Sequence, residues 1–250
     1  MRDELVVYWS PAPFNPETDS WSLLYPEPKN IYTEAIRSKT KTQEEGLKIC
    51  PSFKGNATRL FSFNSSIHEN IDFSDMDLED IDKNTPDNTY LTVPSRVGLR
   101  KERNSSIEGH INLTYNLSWS LFAEEPVVAR MTSPYFPNTS PTKNSLLAFG
   151  EFDIGQWFRP FNLDYHIPYG SSSFEINPGD PLFFLELFTD KKIVFKRFVQ
   201  TERMFAISRE IAEARSRYAR FSKLTERYHM FRQAKMREIV LAEIKKNLVE

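Results

Sequence analysis

The stretch HINLTYNLSWSLFAEE, residues 110–125, constrains the fold of this chain more than any other. Ile111, Leu113, Tyr115, Leu117, Trp119 and Leu121 alternate with Asn112, Thr114, Asn116, Ser118 and Ser120. Successive side chains of a β-strand point to opposite faces, so this period of two reads as one long strand. It predicts an antiparallel sheet with one buried and one wet face.

Other stretches repeat the signal. LVVYW (5–9), GLKICPSF (46–53), ATRLFSFN (57–64) and YLTVP (90–94) read as short strands. SLLAFGEFDIG and QWFRPFNLDYHIPYG read as adjacent strands. SFEINPGDPLFFLELFTDKKIVFKRF adds more, separated by the turn signals Asn-Pro-Gly-Asp and Thr-Asp-Lys-Lys. The polar residues 31–45 have room for a short helix. Roughly nine or ten strands with no helical pattern between them predict an antiparallel β-sandwich of jelly-roll or cupin-like type over residues 1–199.

After Gln200 the period changes. Met204, Ile207, Ile211, Ala214, Tyr218 and Phe221 are spaced three and four apart, the stripe of an amphipathic helix, and Thr201 is a suitable N-cap. A second stripe runs Met230, Ala234, Arg237, Leu241, Ile244, Leu248 and is broken only by Arg237. Residues 200–250 therefore read as a C-terminal helical hairpin or one long helix. Its apolar stripe either packs on the sandwich or joins a protein partner or a second copy through Met204, Ile207, Ile211, Tyr218, Leu241 and Leu248.

Charge separates the same two regions. Residues 201–250 hold 12 Lys/Arg against 7 Asp/Glu, which leaves 20 against 27 in residues 1–200. A surplus spread along helices is not the concentrated basic patch that nucleic acid requires. The segment HENIDFSDMDLEDIDKNTPDN, within residues 64–89, holds eight acids and one Lys. Asp75, Asp77 and Glu79 match the alternation of a calcium loop, but Asp80 stands where that loop needs Gly and Pro86 where it needs Glu. A solvated acidic loop is the expectation.

The single cysteine, Cys50, excludes an intrachain disulfide and fits a reducing compartment. MRDELVVYWSPAP does not read as an export signal, and no apolar run is long enough to span a membrane as a helix.

Two candidate sites share FDIGQWFRPFNLDYH, residues 152–166. If Trp157 to His166 is a strand, Asp164 and His166 point the same way. With His110 as a third ligand they supply the two His and one carboxylate of a non-haem Fe(II) centre, in an order reversed from that of the usual oxygenases. Arg159 lies among Trp157, Phe158 and Phe161, beside Pro160, which cannot donate a ladder hydrogen bond. Its guanidinium either pairs across strands with Glu151 or Asp153, or anchors an anionic ligand between Trp157 and Phe161. Motifs for serine hydrolases, nucleotide loops and zinc peptidases are missing from the sequence.

The segments GLKICPSF, FAEEPVVARMTSPYF, FGEFDIGQWFRPF and INPGDPLFFLELFTDKKIVFKRF, with the KMREIVLAEIKKN tail, resemble a group of uncharacterised proteins of similar length encoded by tailed bacteriophages of marine bacteria. The chain is also distantly similar to a bacterial β-sandwich family of unknown function, which shares an Arg-Pro strand followed by a Gly-Asp/Glu-Pro turn. The resemblance implies a phage protein made in the cytoplasm of a bacterial host, with association to the virion open. It transfers no catalytic residue. The expected function is a non-catalytic accessory or interaction protein without a cofactor. A cupin-like Fe(II) oxygenase and a carbohydrate-binding sandwich are the alternatives.

Overall fold

A computed structural model describes residues 3–12, 25–37, 55–87, 89–91, 93, 98–101, 107–115, 117–134, 139–218, 226, 229, 231–232 and 235–249. The strand expected at 46–53 and the seam residues Phe221, Met230 and Ala234 lie outside them. The protein is mainly β, with short helices between strands and longer ones at the C-terminal end.

Strand β1 (Glu4–Ala12) is followed by β2 (Lys29–Asn30), α1 (Ile31–Arg37), β3 (Leu60–Asn64), β4 (Glu69–Asp72) and α2 (Leu78–Asn84). Next come β5 (Tyr90–Leu91), β6 (Leu99–Lys101), β7 (His110–Tyr115), β8 (Ser118–Ala123), β9 (Val128–Thr132) and α3 (Ser140–Asn144). The chain ends with β10 (Leu146–Leu147), β11 (Gly150–Asp153), β12 (Leu163–Pro168), β13 (Ser173–Ile176), β14 (Pro181–Leu187), β15 (Lys192–Arg197), α4 (Glu202–Tyr218) and α5 (Met236–Lys246).

Two sheets have five strands each, in the orders β10-β12-β7-β6-β5 and β11-β9-β14-β3-β2. A third is β15-β1-β8, and β13 pairs with β4. Most pairings are antiparallel, but β1 and β15 run parallel, Leu5 opposite Ile193 and Val7 opposite Phe195. The turn signals at 177–180 and 189–192 therefore do not close hairpins. β13, β14 and β15 each join a different sheet. Asn177 N donates to Asp180 Oδ2 at 2.8 Å, and Gly179 sits at φ 93°, a backbone that glycine adopts without strain.

The long strand expected at 110–121 is two strands in two sheets, β7 and β8. Its odd positions do feed the core: Ile111, Leu113, Tyr115, Leu117, Trp119 and Leu121 are all at most 1% exposed. The even positions correct the expectation, because Asn112, Thr114 and Ser120 are buried as well. Trp119 lies edge-on to Tyr25 at 4.9 Å and to Phe63 and Phe183, each at 5.6 Å. Such contacts add about 0.5–1.5 kcal/mol each beyond area burial.

Most carboxylates of the acidic segment are exposed, as expected, but the segment is built of β4 and α2 rather than of loop alone. Asp77 caps α2, accepting from Asp80 N at 3.0 Å, and Glu79 pairs with Lys83 one turn on. The helix's C-terminal carbonyls take the buried ammonium of Lys101, which donates to Thr85 O at 2.6 Å and to Asp82 O. The carboxylates of Asp82 and Asp87 stand 3.9 and 4.0 Å from it. A lysine supplies the cation there.

The C-terminal helices pack on the sheet. Thr201 Oγ1 accepts from Met204 N at 3.3 Å, the expected cap. Met204, Ile207, Phe231, Val240 and Ile244 form one buried cluster with Tyr8, Phe122, Phe158 and Phe198 from the β region. Met204 and Ile207, on the stripe expected either to pack on the sandwich or to join a partner, pack within the chain, while Ile211 and Leu241 flank the cluster half-buried. Leu248 bridges to Phe198 and stays 37% exposed. Nothing is described of the Tyr218 side chain. Among the described residues no helix is long and apolar enough to cross a membrane.

Arg237, the polar break in the second stripe, is a clamp. Its Nε donates to Gly155 O at 3.1 Å, and its other nitrogen donates to Glu124 O. Gly155 packs so closely that a Cβ there would meet the Glu125 carbonyl and stand 2.7 Å from Pro126 Cα. Because both obstacles are backbone, Gly155→Ala is expected to cost about 1–3 kcal/mol and to lower Tm by roughly 3–10 °C. Arg237→Met should destabilise in the same direction. The double variant should lose less than the sum, since both act on one contact. Thermal denaturation of the three variants tests this, and strict additivity would refute the clamp.

Candidate functional site

The segment between β11 and β12 is irregular and held at both ends. Asp153 ties down its start, Oδ1 accepting from Val127 N at 3.0 Å and from Gly155 N at 2.9 Å while Oδ2 accepts from the Gln156 amide. Further on, Phe161 N donates to Trp119 O at 2.9 Å and Pro160 bridges to Ser120. The strand expected from Trp157 to His166 therefore begins only at Leu163. Pro160 has no N–H to extend a ladder, which fits this single bridge.

The segment forms one wall of a cleft of about 250 Å³. Met131 and the run Ala148–Gly150 contribute from other strands, and Trp157, Arg159, Phe161, Asn162 and Asp164 from the segment and the start of β12. Trp157 and Phe161 are buried, and Phe161 meets Phe152 edge-on at 4.6 Å. The Arg159 guanidinium carbon lies 5.4 Å from the centre of the Trp157 ring, a cation–π distance. Glu151, one expected partner of Arg159, instead binds Arg130 at 2.7 Å. Phe149 stands at the rim, 83% exposed.

Polar capacity remains open in this cleft. Thr114 Oγ1 donates to Asp164 Oδ1 at 2.6 Å, which leaves Oδ2 without a hydrogen bond among the described residues. The Asn162 amide, half-buried in the lining, makes none with them either. Trp157, Arg159 and Phe161, singled out from sequence, are thus brought together. Phe149 and Asn162 were not singled out, and Asp164 was read for a different role. An exposed Phe in LLAFG and an Asn in PFNL have no periodic signal to mark them.

The three residues read from sequence as metal ligands share one face of a sheet. In the β7–β12 register Asp164 opposes Thr114, His166 opposes Asn112 and Pro168 opposes His110, so His110, Asp164 and His166 lie on one side of the sheet. His110 Nδ1 bonds to Glu108 O at 2.9 Å, and Asp164 Oδ1 accepts from Thr114. Among the described residues no three His, Cys, Asp or Glu side chains are grouped to hold a metal ion. Comparison with known families, curated proteins and solved structures finds no match.

His166 is buried, and among the described residues its Nδ1 has no hydrogen-bond partner, as is true of the facing Asn112 Oδ1. Burial, reinforced by the nearby His110, holds its pKa below the usual histidine value, and Asp164 opposes the shift. The unfolded chain then binds the proton more readily than the folded one, so stability falls as pH drops through the unfolded value of about 6.5 and levels off below the folded pKa. Denaturant unfolding between about pH 7 and pH 5.5 should show this loss, at no more than about 1.4 kcal/mol per pH unit for one proton. His166→Gln should flatten the slope; an unchanged slope would exclude His166 as its source.

Proposed function

We propose that this chain is a non-catalytic binding protein whose cleft at Trp157, Arg159 and Phe161 holds a small ligand. The scaffold we infer is a β-sandwich of jelly-roll type. Its support is a single apolar cluster drawing Phe61, Phe63, Phe183 and Leu185 from one five-stranded sheet and Ile111, Leu113, Leu163 and Tyr165 from the other. In line with the resemblance of the sequence, the proposal includes a phage accessory protein made in a bacterial host.

The observation that carries the binding reading is the pairing of rigid aromatic walls with unspent polar groups. Phe152, Trp157 and Phe161 are fixed by packing, while the Asn162 amide and Asp164 Oδ2 remain open. A few convergent polar groups in a mostly apolar concavity are what orients a small molecule. The lining supplies one carboxylate and one guanidinium, with no Ser, Cys, Lys or His. That set favours holding a ligand over acid–base or nucleophilic chemistry.

A ligand-observed NMR screen of small polar ring compounds tests the reading. Hits should weaken by about tenfold in Arg159→Ala or Phe149→Ala, the loss of one cation–π or stacking contact. Tm should barely change, and the bound compound should be recovered intact by mass spectrometry. Hits indifferent to both substitutions would place binding elsewhere, and chemical conversion would refute the non-catalytic part.

A further inference from the structure

We infer that the cleft binds one uncharged pyranose ring of a saccharide; this rests on the cleft being the ligand site. Size limits the choice first. At about 250 Å³ the cleft falls below the range of about 300–1,000 Å³ common for drug-sized ligands. That is room to enclose about one six-membered ring.

Charge narrows it further. Arg159 and Asp164 are the ionisable residues of the lining, and they have opposite signs. An anion or a cation gains from one and is opposed by the other. A zwitterion would have to reach both charges at once, with the guanidinium lying over the Trp157 ring and Asp164 offering only Oδ2. A neutral polyol meets neither penalty.

The open polar groups then match a sugar edge. Asp164 Oδ2 accepts, while the Asn162 amide offers two donors and an acceptor. Neighbouring ring hydroxyls each donate and accept, so one can donate to the carboxylate while the next accepts from the amide. A pyranose also presents an apolar C–H face. Phe149 leaves a whole aromatic ring in water beside these groups, where covering it would bury apolar area.

Saturation-transfer NMR with methyl glycosides of glucose, galactose and mannose, plus N-acetylglucosamine, tests this, with benzoate and phenylalanine as an anionic and a zwitterionic probe. At least one sugar should receive saturation from protein aromatic protons, with a Kd on the order of 1 mM. Phe149→Ala should weaken it about tenfold. Asp164→Asn still accepts from Thr114 and should fold normally, yet should also weaken binding about tenfold, because an amide NH₂ replaces the accepting oxygen. Transfer to benzoate or phenylalanine but to none of the sugars overturns the saccharide assignment and leaves the cleft as the site. Transfer to no probe overturns both, and sugar binding undiminished in both variants overturns the assignment to these residues.

Discussion

Burial on both sides of the chain between His110 and Ala123 is the constraint from which the rest of the molecule follows. A strand with one wet face can end a structure; one covered on both faces must have something on each side. Here the odd positions fill the main core around Trp119, while the even positions of β7 face Asp164 and His166 across the β12 register. The break after Tyr115 lets one stretch serve two sheets. β7 then anchors the sheet that carries Asp164, and β8 offers Trp119 O and Ser120 to hold the segment that carries Arg159. The two halves of the cleft are brought together by one piece of backbone.

The C-terminal helices extend this dependence. Their apolar stripes cover Tyr8, Phe122, Phe158 and Phe198, the side of β1 and β8 away from Trp119. Arg237 reaches the turns at Glu124 and Gly155, and Arg232 reaches Gln156 at 2.5 Å. The wall bearing Trp157 and Arg159 is therefore backed by helix as well as by strand, which keeps a cleft made of irregular backbone in one shape. Phe158 shows the division of labour: it points into the helix-covered cluster while its neighbours Trp157 and Arg159 line the cleft.

Much of the secondary structure was legible because period two and period 3.6 are local signals. The strand at 181–187, the helix from 202 with its Thr201 cap, and the aromatic set at 157–161 all came from spacing and residue type. Pairing was not local. Asn-Pro-Gly-Asp reads as a turn between strands and is one, yet the strands it joins pair elsewhere, β13 with β4 and β14 with β3 and β9. Asp-x-His on one strand reads as two metal ligands, but only the register shows Thr114 opposite the carboxylate.

The sequence by itself determined a mainly β protein with a helical end, and it marked Trp157, Arg159 and Phe161 as unusual company for one another. Those are consequences of side-chain order along a few residues, which chain geometry converts directly into faces. Tertiary structure alone decided that the acidic segment would fold around Lys101, that Arg237 would bind two turns, and that Phe149, Asn162 and Asp164 would close a cleft with the aromatic wall. Each of these joins groups distant in sequence through long-range hydrogen bonds, ion pairs and packing, and such contacts have no periodic trace in the order of residues.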